Sequence, residues 1–163
     1  MTAAQKTARL GSLQNTIDNF VRRDMGGDQR CLDARDEMDR LQSGGLGFSV
    51  SLAAIRDAAA LGHFISYGTL ADASGVDWKR ARRPIYRHLE ALCVWANDQG
   101  FPLITAVVVE KDCMSTGHLS EGPLAGFLRA AEVCGVPVPE DKQAFVREQQ
   151  MATFRWAGFG VAP

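Results

Sequence analysis

No stretch of this chain approaches the roughly 18 consecutive apolar residues of a membrane-spanning helix. The opening residues MTAAQKTARLGSLQNTI have no apolar core of the kind a secretion signal carries. The expectation is therefore a cytoplasmic protein with reduced thiols and no membrane partner. Cysteine is sparse. Cys31, Cys93, Cys113 and Cys134 form no C-x-x-C pair, which removes the usual zinc and redox spacings. Charge of one sign is also lacking. A formal net charge of −1 excludes a uniformly basic nucleic-acid binder, so any such contact must fall on a local patch. The glycine-rich GGLG (44–47) has neither a preceding strand nor a following lysine, so it is not a phosphate loop.

What is present suits one domain of 163 residues, 46% of them apolar, enough to build a core. Leu10, Leu13, Ile17, Phe20 and Val21 recur at helical spacing within 3–25, and MGGD (25–28) ends that helix. QRCLDARDEMDRLQ (29–42) reads as a second helix with a thin apolar stripe, Leu32, Met38 and Leu41. SGGLG (43–47) reads as a flexible joint. Helices follow over 49–63 and 67–74, the second capped by Ser66. The segment 79–98 has Ile85, Leu89, Leu92, Cys93 and Ala96 on one face. Pro84 suits a first turn, so the regular helix starts near it and 79–83 forms a separate turn. PLITAVVVE (102–110) has the β-branched run of a buried strand, 111–122 is a polar loop, and helices are expected over 123–135 and 141–158. The fold expected is mostly α with a small β component (α+β): a winged-helix-like core over 48–163, preceded by a helical arm and joint over 1–47.

The order helix, helix, turn, long helix, strand is that of a winged helix. Lys79, Arg80, Arg82, Arg83 and Arg87 crowd the start of the long segment, and no acid falls between Asp77 and Glu90. Cations at a helix N-terminus oppose the helix dipole, a local cost that an anionic partner offsets. A solvated surface is the plainer reading of such a run. Trp78, just before it, could stack on a base, but packing against the core is the expected role.

Residues 62–111 resemble the DNA-binding half of the alkylguanine-DNA alkyltransferases and the alkyltransferase-like proteins. The likeness lies in Ser66, Tyr67, Leu70 and Ala71, in Lys79, Ala81 and Arg82, and in Pro102-Leu103-Ile104-Thr105. By that resemblance Tyr67 presses on the phosphate beside an extruded nucleotide, and Arg82 fills the gap in the base stack. Where the family carries Pro-Cys-His-Arg, this chain has Ala106-Val107-Val108-Val109, so the resemblance implies DNA binding without alkyl transfer.

The remaining constellations are thinner. Cys113 and His118 make half of a zinc site, with Cys93 or Cys134 as further donors; neither metal nor cofactor is expected. Cys113 with His118 or His63 could form a nucleophile pair. Glu110-Lys111-Asp112 lacks the spacing of a nuclease E-x-K element. His88 is either a surface residue beside a ligand or partly buried, and Trp95 and Trp156 are expected in the core or at a domain interface. The leading expectation is a non-enzymatic nucleic-acid-binding protein, with DNA as the partner, that uses Tyr67, Lys79, Arg80, Arg82, Arg83 and Arg87. The alternative is a small protein-binding modulator or inhibitor, of the kind carried by phages and mobile elements, docking through charged faces such as DARDEMDR (33–40). A third reading is an enzyme built on the 110–121 loop with Cys113, His118 and Glu121. The apolar stripes of the arm suggest a homodimer.

Overall fold

Thr2 opens the first helix with a reciprocal cap: its hydroxyl accepts from the Gln5 backbone, and the Gln5 side chain accepts from the Thr2 N–H. In the computed structural model, which describes residues 1–160, this helix is α1 (Ala3–Arg22). It is followed by α2 (Gln29–Gln42), capped by Asp28, and α3 (Phe48–Ala60). Next come β1 (Ile65–Ser66), α4 (Tyr67–Ala73), α5 (Trp78–Ala81) and α6 (Ile85–Asp98). The chain continues through β2 (Val108–Val109), α7 (Glu121–Val133) and α8 (Lys142–Trp156). The fold is mostly α with a small two-stranded sheet. No helix among the described residues is long and apolar enough to cross a membrane.

α6 is the central element. Seven of its 14 residues are buried, on more than one face. Ile85, Leu89, Leu92, Trp95 and Ala96 join the main core with α3, α4 and Phe154 of α8. Cys93 belongs to a second cluster with α7 and the start of α8. The stripes of α1 and α2 pack on each other, with Leu13, Ile17 and Phe20 against Cys31 and Ala34, while Val21 stays exposed.

Residues 43–47, expected as a flexible joint, are tied down. Leu46 is fully buried in the main core. The Gly47 N–H donates to Ser74 Oγ, and the Arg40 guanidinium donates to the Gly45 carbonyl. The arm is also bonded to α6: Trp95 Nε1 donates to the Gly26 carbonyl at 3.1 Å, and His88 Nδ1 donates to the Asp39 carboxylate.

The strand expected over 102–110 is mostly something else. Ile104–Val107 forms a 3₁₀ turn and only Val108–Val109 is extended, paired parallel with Ile65–Ser66. A parallel pair needs a crossover, here α4 through α6, and both strands are buried. The antiparallel hairpin of a wing does not occur among the described residues. Side chains of α8 satisfy the irregular buried backbone instead. Gln149 Oε1 accepts from the Leu103 N–H, and Gln150 Nε2 donates to the carbonyls of Ala106 and Gly117 at 2.9 and 2.7 Å. Gly117 has φ +73°, and a Cβ there would collide with the Phe64 ring, which closes this side of the core.

Two buried carbonyls depend on one amide, so Gln150→Leu should destabilise the fold by about 2–6 kcal/mol, at roughly 1–3 kcal/mol per orphaned group. Urea unfolding of the variant checks this; an unchanged midpoint would show that other groups serve these carbonyls.

Candidate nucleic-acid interface

Ser66 caps α4 by accepting from the Thr69 N–H, and Leu70 and Ala71 bury its inner face. Gly75, at φ +69°, turns the chain out of α4. Asp77 caps α5: its carboxylate accepts from the Lys79 N–H at 2.8 Å. The regular helix resumes only at Ile85, after Pro84, as the proline position suggests. Residues 77–87 therefore form a knob anchored by Ala81 and Ile85, while Trp78, Lys79, Arg80, Arg82, Arg83, Tyr86 and Arg87 are exposed.

Among the described residues, none of the five cations is within 4.0 Å of a carboxylate. The nearest acid in sequence, Asp77, is occupied as a cap. The N-terminus of α6 has no side-chain cap either, so its free N–H groups add to the positive potential.

Four of the predicted contacts, Lys79, Arg80, Arg82 and Arg83, sit together on the knob. Arg87, at its edge, lines a cleft of about 350 Å³ between α1, α2 and α6, with Ile17, Val21, Met38 and Phe48 among the apolar lining. Arg35 lines the same cleft; its Nε is buried with no partner among the described residues. Tyr67 lies in the seam between α4, α6 and α7, its ring 6.2 Å from that of Tyr86. Burial, then Tyr86 and Glu110, push its phenol well above the usual range. Trp78 corrects the sequence reading: it is 44% exposed and packs in no core cluster.

His88 is fully buried. Its Nδ1 bonds the Asp39 carboxylate and its Nε2 lies 2.7 Å from the Ser51 hydroxyl, while the other Asp39 oxygen accepts from Ser43 Oγ at 2.6 Å. This Ser-His-Asp set was not legible in the sequence, because its members lie on α2, α3 and α6 and Asp39 reads as one more acid on a charged helix. Ser51 is buried as completely as His88, so no substrate reaches its hydroxyl and the set works as a tie. The acid-rich 33–40 region spends its carboxylates internally. Glu37 pairs with Arg9, which lowers its pKa; Asp36 pairs with Arg40 and accepts from the Ser49 N–H. Cys113 and His118 gather no third ligand: among the described residues no group of three such side chains comes together.

The chain matches no family model, no curated protein and no solved structure.

Burial pushes the Cys93 thiol up to about 12, and burial with Asp98 and Glu90 nearby raises Cys134. Cys113 should thus label first with a thiol reagent near pH 8, and buried Cys31 and Cys93 only on unfolding; peptide mass mapping checks the order. Cys93, Cys134 and Tyr67 all keep their protons longer when folded. The stability they contribute is whole below about pH 9 and declines as pH rises above it, where the unfolded chain ionises first. Melting curves from pH 8 to about pH 11 should show a falling midpoint, and a rising one would contradict these environments.

Proposed function

We propose that this chain is a non-enzymatic nucleic-acid-binding protein, with DNA as the polymer, that binds through the basic knob at 79–87. One observation carries the reading: five exposed cations fall within nine residues with no carboxylate in ion-pairing reach among the described residues, on a chain whose net charge is −1. Here the neighbouring acid is used as a cap, and the uncapped α6 N-terminus reinforces the same sign of potential. Lys79, Arg80 and Arg83 would meet phosphates. Arg82 would reach toward the bases, and Arg87 would extend the positive surface toward the arm cleft. Tyr67 supports the knob through Tyr86. A cytoplasmic location follows from this partner.

Fluorescence anisotropy with a labelled DNA oligonucleotide tests the proposal. Affinity should fall about 20- to 40-fold between about 50 and about 200 mM salt, as expected for three phosphate contacts. Arg82→Ala/Arg83→Ala should lower the slope of log affinity against log salt by about 0.7 to 0.9, for the one phosphate contact it removes. Absence of binding at low salt, or a slope unmoved by the double change, would refute the knob as the binding face.

A further inference from the structure

We infer that the knob takes single-stranded DNA in preference to duplex, with Trp78 and Tyr86 as platforms for unpaired bases; this rests on the nucleic-acid reading above.

The first ground is what the fold withholds. Reading a duplex by helix insertion needs a helix that stands proud of the body and fills a major groove about 12 Å wide and about 8.5 Å deep. α6 holds the recognition position, yet His88, Leu89, Leu92, Cys93, Trp95 and Ala96 are all buried, packed against α3, α7 and the 3₁₀ turn. Before Asp98, only Tyr86 and Arg87 of its first turn are exposed. α5 adds a single turn of four residues, about 6 Å long at 1.5 Å per residue. No hairpin among the described residues supplies a second grip on a duplex.

The second ground is what the fold offers. Trp95 is core, and Trp156 and Tyr67 are partly buried against it. Trp78 and Tyr86, at 44% and 48% exposure, both lie on the basic knob; Trp78 packs in no core cluster, and Tyr86 rests on Tyr67 and Gly126 on its inner side. The Arg82 N–H donates to the Trp78 carbonyl, so the two residues stand one helical turn apart on the knob. Aromatic faces set among unpaired cations match a strand whose bases are free to stack and whose phosphates run alongside. In a duplex the bases are already stacked on one another and the rings gain little.

The test compares a labelled oligo-dT strand with a mixed-sequence duplex of equal length at one salt concentration, by anisotropy. The single strand should bind at least tenfold tighter. Trp78→Ala should weaken single-strand binding about 5- to 150-fold and change duplex binding less than twofold, and Trp78→Phe should recover most of the loss. Trp78 is exposed, and a matching far-UV spectrum would confirm that each variant folds. Equal affinity for both forms, or a neutral Trp78→Ala, would overturn the single-strand preference while leaving nucleic-acid binding intact. Binding to neither form at low salt would overturn both.

Discussion

His88 sits where three parts of the chain meet, and the placement of the knob depends on it. Its buried ring holds Asp39 of α2 on one side and Ser51 of α3 on the other. A polar group buried without a partner costs far more than a satisfied one returns, so the network constrains geometry more than it adds stability. If any member shifts, the others lose partners that water cannot replace. The arm, α3 and the first turns of α6 are thus fixed together. Arg87 precedes His88 and Ile85 lies one turn before it, so the basic turn leaves the body at a set angle.

The same logic appears at the other side of the core. The buried run after α6 has too little sheet to satisfy its backbone, and Gln149 and Gln150 of α8 take that role. One polar insert, at His88, thus lies within α6 and the other holds the segment that follows it, while α6 is otherwise packed by aliphatic and aromatic contacts. The knob is free to carry unpaired charge because its anchors, Ala81 and Ile85, belong to this core.

Much of the helical layout was legible from spacing and caps. The second helix runs over the same 29–42 that the sequence suggested, and the break before Pro84 is where the proline places it. The rest depended on partners distant in sequence. The β-branched run at 102–110 carries a strand signal, but no periodicity shows that two glutamines some 45 residues later satisfy its backbone. Asp39, Ser51 and His88 look unrelated until the fold joins them. A tryptophan in a turn usually packs inward, which is the role the sequence suggests for Trp78; here Ala81 and Ile85 fill that place and the indole remains outside. Within the candidate site, the clustering of Lys79, Arg80, Arg82 and Arg83 was readable directly, whereas the place of Arg87 beside the arm cleft was not.

Photo-crosslinking tests the assignment of the knob most directly. A single-stranded oligonucleotide carrying 4-thiothymidine would be irradiated with the intact protein and the adducts mapped by peptide mass spectrometry. Adducts concentrated within 78–87, with Trp78 or Tyr86 among them, are the expected result. Adducts confined to the arm cleft or to α7, with none on the knob, would contradict it.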